Sequence, residues 1–231
     1  MVFGGTEMNA VVLLSGGLDS TVTTAVAVRE NDNVVALSFR YGQRHTKELT
    51  SASNVCEHYG IRHVIMDIDL SIFRSALTRD DIKVPENRES EKMGSDIPDT
   101  YVPARNVIML SIAAGLCEST DSERIYIGAN SVDYSGYPDC RPEFFKAFRE
   151  MIGVGTRSGV EGTPISIETP ILNLSKKEIV MLGKELNAPL GLTWSCYNGR
   201  EKACGKCDSC ILRLNGFADA GYRDEVPYED M

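Results

Sequence analysis

Two groups of residues in this 231-residue chain have the types and spacing that chemistry needs. The first is Ser15, Gly16, Gly17, Leu18, Asp19, Ser20 and Thr21, in unbroken order. A glycine lets backbone N–H groups approach an anion closely and tolerates a positive φ. The serine and threonine hydroxyls add donors. If the stretch opens a helix, the partial positive charge of the helix N-terminus joins the same field. Together these describe a phosphate site. Asp19 is out of place beside an anion unless a divalent cation such as Mg²⁺ shares the phosphates. The plainer alternative is an ordinary strand-to-helix turn; the fixed order of five such residue types between a strand and a helix argues against it.

The second group is Cys196, Cys204, Cys207 and Cys210. Each x₂ spacing lets two sulfurs reach one ion, with Gly205 at the turn and Cys207 serving both spacings. Four thiolates close a tetrahedral sphere and leave no position for water, which predicts a structural Zn²⁺. A four-iron–four-sulfur cluster also accepts four thiolates, and a Cys-x-x-Cys pair can carry redox chemistry. Cys56, Cys117 and Cys140 read as packed residues, and no structural disulfide is expected in a reducing cytosol.

These groups need a frame. Residues 10–14 are a short apolar run, consistent with a buried strand, and a helix follows from the glycine turn to about Arg29. Residues 34–39 and 64–68 read as further strands, with a helix over 46–59 between them that stops at Gly60. Residues 106–117 form a strongly apolar helix, and 125–128 the next strand. A helix over 143–152 and a strand over 165–169 follow. Ser175 and Glu178 form a capping box for a helix that ends near Asn187. The alternation predicts a Rossmann-like α/β fold, a parallel sheet with helices on both faces. Residues 78–100 break the pattern: they are polar, with Pro85, Gly94 and Pro98, and read as a lid or a disordered loop. The expected organisation is a nucleotide-binding α/β domain over 8–190 and a zinc-binding segment over 191–231 packed on it. Residues 1–7 read as a frayed leader, and Met8 as an alternative start.

Charge narrows the partners. The chain has 24 Lys+Arg against 33 Asp+Glu, a net −9, so its surface repels phosphate backbones and extended nucleic-acid binding is not expected. No apolar run approaches the roughly 20 residues of a membrane span. No basic segment followed by an apolar one opens the chain, so a cytoplasmic protein is expected.

The run from Ser15 to Ser20 resembles the S-G-G-x-D-S signature of the PP-loop ATP pyrophosphatases. Members of that superfamily use a Rossmann-like sheet and cleave ATP between its α and β phosphates to adenylate an oxygen. Over residues 11–215 the chain resembles the QueC family, the 7-cyano-7-deazaguanine synthases. The matching blocks are 15–21, 39–44 (FRYGQR), 101–106 (YVPARN), 128–141 (GANSVDYSGYPDCR), 168–171 (ETPI) and 193–196 (TWSC) with the cysteine cluster.

The resemblance implies a ligase that turns 7-carboxy-7-deazaguanine, ammonia and ATP into the nitrile, a precursor of queuosine or archaeosine. It implies ATP as a substrate, Mg²⁺, a structural Zn²⁺, free ammonia as nitrogen donor and a homodimer. The expected nucleotide set is Leu14, Ser15, Gly16, Gly17, Leu18, Asp19, Ser20, Thr21, Ser38, Gln43 and Arg44. Asp19 and Arg105 are the expected catalytic residues, with Arg105 clamping a carboxylate or phosphate. Arg105, Asn106, Asp133, Tyr137 and Asp139 form the expected substrate set. Asp133 or Asp139 would accept from the guanine-like N–H edge, although both also suit a turn. Tyr134 and Tyr137 would stack on the deazapurine or pack. His45 reads equally as solvated, and His58 and His63 as structural. The rival readings are an NAD or GMP synthetase, and a nucleic-acid module built on the zinc knuckle.

Overall fold

The structure, a computed structural model, describes residues 8–88, 97–132 and 136–229. The proposed leader, Asp133, Tyr134 and the middle of the 78–100 segment lie outside those residues.

Five parallel strands form one sheet in the order β3-β2-β1-β4-β5. They are β1 Asn9–Leu13, β2 Asn33–Arg40, β3 Arg62–Asp67, β4 Arg124–Ile127 and β5 Ser166–Glu168. β1 is central, with Val11 opposite Val35 on one side and Ile125 on the other. Its NAVVL sequence is buried on both faces, as a continuous apolar run in a parallel sheet requires. The helices are α1 Leu18–Glu30, α2 Lys47–Tyr59, α3 Arg105–Ser119, α4 Pro142–Gly155, α5 Arg157–Val160, α6 Lys176–Glu185 and α7 Asp208–Asp219. None among the described residues is long and apolar enough to cross a membrane.

Strand alternation sorts the core into two layers. Val11, Leu13, Leu37, Phe39, Ile125 and Ile127 face α3 and α4. Ala10, Val12, Leu14, Val34 and Ala36 face α1 and α2. Outside α1 lie α6 and α7, packed through Val22, Ile179, Val180 and Phe217. Local chemistry sets the element ends as expected. Gly60 closes α2 in the left-handed conformation at φ 64°. Both halves of the capping box at Ser175 and Glu178 are formed.

The described ends of the 78–100 segment are fastened. Ala76 N donates to Asp99 O at 2.7 Å, and Asn87 N to Lys206 O at 2.8 Å. Glu86 bridges to Cys207, and Arg88 pairs with Asp208 at 3.0 Å. Residues 86–88 are therefore joined to the cysteine knuckle.

Candidate functional site

The chain leaves β1 for β2 on one side of the sheet and crosses from β3 to β4 on the other. The crevice this leaves at the carboxyl end of β1 is where open parallel sheets bind ligands. A cavity of about 240 Å³ occupies it.

The floor is the glycine loop. Gly16 has φ +90°, and a Cβ there would lie 2.0 Å from Glu48 O and 2.7 Å from Ala52 N. Only glycine lets the loop press on α2 this closely. Gly17, which has no side chain to offer, then caps α1, and of the first-turn amides Leu18 N–H donates to Ser195 Oγ at 3.5 Å. Helix N-termini of this kind suit an anion. Ser15 Oγ and Ser20 Oγ are 3.0 Å apart, and Ser15 Oγ accepts from Gly17 N at 3.3 Å. At the end of β4, a Cβ on Gly128 would be 2.9 Å from Ser20 Cα, so β4 also closes tightly on the loop.

Two cations from distant parts of the chain line the cavity. Lys176, at the start of α6, holds both oxygens of Asp19. Arg105, at the start of α3, is aimed inward by a constrained turn. Ala104 sits at φ 55°, its N–H donates to Tyr101 Oη at 3.1 Å, and Asp139 Oδ2 accepts from Asn106 N at 3.0 Å. A left-handed non-glycine residue costs of order 1 kcal/mol and is kept where neighbours fix it. Burial disfavours the Arg105 charge, but Tyr41, Tyr137 and Asp139 favour it more, and the guanidinium is held above its ordinary range.

Glu48 also lines the cavity. Burial pushes its carboxyl up to about 7, against the pull of Arg105 and with help from Cys196. Burial likewise pushes the Cys140 thiol up to about 12, which fits a packed residue.

Of the sequence-based nucleotide set, Leu14, Ser15, Gly17, Leu18, Asp19, Ser20, Gln43 and Arg44 line the cavity. The other members are placed elsewhere. Gly16 supports the loop from behind. Thr21 is fully buried and its hydroxyl has no hydrogen-bond partner among the described residues. Ser38 lies on the opposite sheet face from Leu37 and Phe39, donating to Leu14 O at 2.5 Å beside His63. Gln43 spans its own turn, accepting from Tyr41 N and donating to Phe39 O. Arg44 donates to the carbonyls of Arg79 and Ile82 and so ties down the 78–82 segment.

Of the substrate set, Arg105, Asn106 and Tyr137 line the cavity. Asp139 does not: its carboxylate caps α3. Asp133 lies outside the described residues. Sequence reading missed Lys176, Glu48, Ser195 and Arg213 as lining residues. All four lie outside the loop's own stretch of sequence, Lys176 and Ser195 by 157 and 177 residues from their loop partners, so no local pattern marks them.

The four cysteines are buried, and their sulfurs lie within 4.8 Å of one another. Cys204 Sγ is 3.9 Å from Cys210 Sγ. One tetrahedral ion at a Zn–S distance of about 2.3 Å needs sulfurs about 3.8 Å apart. Cys204 Sγ also accepts from the amides of Lys206 and Cys207, at 3.4 Å each, with Gly205 at φ 69° between. Hydrogen bonds from Cys207 and Cys210 hold the Cys196 thiol well below its ordinary range. The donor set is compatible with a zinc ion held by Cys196, Cys204, Cys207 and Cys210.

The chain matches known proteins over nearly its whole length. The family model described as "Queuosine biosynthesis protein QueC" matches residues 9–221. A curated 7-cyano-7-deazaguanine synthase from Picrophilus torridus is 54% identical over 222 residues, 96% of this chain and 92% of that protein. One from Acetivibrio thermocellus is 55% identical over 220 residues, 95% of this chain and 97% of its own. A solved NMN synthetase from Francisella tularensis superposes with a TM-score of 0.49 at 16% identity, covering 94% of this chain and 79% of that one.

Proposed function

Since the chain belongs to the family described as queuosine biosynthesis protein QueC, we propose that it is an ATP-dependent carbon–nitrogen ligase making 7-cyano-7-deazaguanine from 7-carboxy-7-deazaguanine and ammonia. The observation that carries this reading is one cavity that holds both a glycine-built helix N-terminus and the half-buried Arg105. The first suits a polyphosphate and the second a carboxylate.

The chemistry proceeds in balanced steps. The substrate carboxylate attacks the α-phosphorus of ATP, and pyrophosphate leaves. Ammonia displaces AMP from the acyl-adenylate, giving the amide and releasing one proton. The amide oxygen attacks a second ATP, again expelling pyrophosphate. Loss of AMP and the remaining N–H protons yields the nitrile. The loop amides, Ser15, Ser20 and Lys176 stabilise the charge that develops on the departing pyrophosphate. Arg105 orients the carboxylate. Glu48 is placed to take a proton released as nitrogen adds, and a carboxyl near 7 suits that task.

A Mg²⁺ ion would offset phosphate charge in this chemistry, and Asp19 would help hold it through a carboxylate that Lys176 also contacts. A structural Zn²⁺ on the four cysteines, free ammonia as nitrogen donor, a homodimer and a cytoplasmic location complete the reading.

The test is mass spectrometry of products after incubation with 7-carboxy-7-deazaguanine, ATP, Mg²⁺ and ammonium. A nitrile product, with AMP and pyrophosphate formed, is expected. ATP turnover that ignores the deazapurine acid would overturn the assignment.

A further inference from the structure

Ser195 lies one residue before Cys196, on the segment that runs from α6 into the cysteine knuckle. Its hydroxyl oxygen receives two hydrogen bonds. Arg213 Nη1 donates at 3.1 Å, and the backbone N–H of Leu18, the first residue of α1, donates at 3.5 Å. A serine oxygen has two lone pairs and one proton. With both lone pairs facing donors, the proton must point elsewhere. No protein acceptor takes it among the described residues, and Ser195 lines the cavity.

The donors that fix this orientation cannot easily turn away. Arg213 is 2% exposed. Asp224 holds it at 2.6 and 2.9 Å, and its other contacts are Thr193 Oγ1 and Leu190 O. The Ser195 backbone is fixed as well, because Trp194 N donates to Gly16 O at 2.9 Å. The hydroxyl is thus set over the floor of the phosphate site with its proton aimed into the cavity.

We propose that Ser195 is a phosphate-binding residue whose O–H donates to the β,γ-pyrophosphate part of ATP, so that the cysteine-bearing segment supplies one wall of the nucleotide site. The proposal rests on the ATP reading above. It differs from a purely structural role, in which Ser195 only caps the Leu18 N–H.

The experiment compares Ser195→Ala and Ser195→Thr by calorimetric titration with ATP and with AMP, which lacks the pyrophosphate. Zinc content and melting temperature are measured alongside, with Ser15→Ala as control. A hydrogen bond to a charged acceptor corresponds to a loss of roughly 10- to 100-fold. Ser195→Ala is expected to weaken ATP by that factor while AMP affinity and zinc content stay unchanged. Ser195→Thr, which keeps the hydroxyl, is expected to restore most of the ATP affinity. A general loosening of the fold would weaken both nucleotides equally and would overturn the proposal. So would unchanged ATP affinity in Ser195→Ala while Ser15→Ala loses it. If both serine variants bind ATP normally, the loop assignment itself fails, and the proposal with it.

Discussion

Lys176 Nζ lies 2.7 and 2.8 Å from the two carboxylate oxygens of Asp19, across 157 residues of sequence. The lysine side chain is 8% exposed and the aspartate 19%. The acid that stood out in the glycine loop is thus neutralised by a cation from α6. Removing only the cation leaves an unpaired carboxylate in the glycine loop, which costs more than the pair contributes.

Lys176→Met is therefore expected to weaken ATP binding by about 3 kcal/mol, roughly 100-fold. Asp19→Asn added to Lys176→Met should recover part of the lost stability, because the lone charge is gone. Calorimetric titration and thermal melting of the two single variants and the double variant measure the coupling. Additive effects would show that the pair does not act as a unit.

The two loop glycines should respond differently. A Cβ on Gly16 meets backbone at 2.0 Å, while one on Gly17 finds its nearest atoms at 3.4 and 3.6 Å. Gly17 also has φ −78°, which any residue adopts. Gly16→Ala is expected to lower the melting temperature and abolish ATP binding; Gly17→Ala should fold with a near-native melting temperature. Melting curves for both check this, and equal tolerance at the two sites would contradict the loop geometry.

The sheet and the loop were legible in the sequence because their signals are local. Each strand is a short apolar run, and the loop residues are contiguous. Observed strand ends differ from expectation by one or two residues, as with β5, which spans Ser166–Glu168 rather than 165–169. Ser38 shows how a local rule can be overlooked. Alternation along β2 puts Leu37 and Phe39 toward the cavity and Ser38 on the other face. Asp139 shows a limit of another kind. Its turn-rich surroundings were visible, but its bond to Asn106 N spans 33 residues. Lys176 was visible only as part of a capping box, and its buried partnership follows from α6 packing on α1.

Glu48 gives the empty protein a pH signature. Its carboxyl moves from an ordinary 4.5 up to about 7, chiefly through burial. Between those values the unfolded chain has released the proton and the folded chain keeps it. Stability linked to Glu48 is full below 4.5 and falls as pH rises toward 7. Glu48→Gln removes this dependence. Its melting temperature relative to wild type should rise from pH 4.5 to 7 and stay level above. A difference that is flat across that window would rule out the buried carboxyl as its source.

Asp224 carries the opposite sign. Burial disfavours its charge, but hydrogen bonds and attraction from Arg213 prevail and hold the carboxyl below its ordinary 3.8. That stability is present above 3.8 and is lost as pH falls through the lower folded value. Asp224→Asn strands a buried guanidinium, at a cost of about 3–5 kcal/mol near neutral pH. Denaturant unfolding should show this deficit at pH 7 and a shrinking one below 3.8. A constant deficit would mean that Asp224 acts through packing and not charge.

Metal removal should reach the nucleotide. The knuckle is joined to the glycine loop through the Trp194 N–H to Gly16 O bond, two residues before Cys196. Trp194 Nε1 donates to Cys196 O at 3.1 Å, and Lys47 Nζ lies 4.2 Å from the Trp194 ring centroid. Glu86 and Asn87 attach the 84–88 stretch to the same knuckle. A metal on four buried thiolates fixes Cys196 against Cys207 at the start of α7, and its binding free energy becomes folding free energy for these contacts. One zinc per chain is expected by elemental analysis. Stripping it with a strong chelator should lower the melting temperature and weaken ATP binding, while the β1–β2–β4 core keeps its far-ultraviolet circular dichroism. Added zinc should restore both. A stripped protein that binds ATP as tightly as the loaded one would show that the knuckle and the loop are energetically separate despite the bond between them.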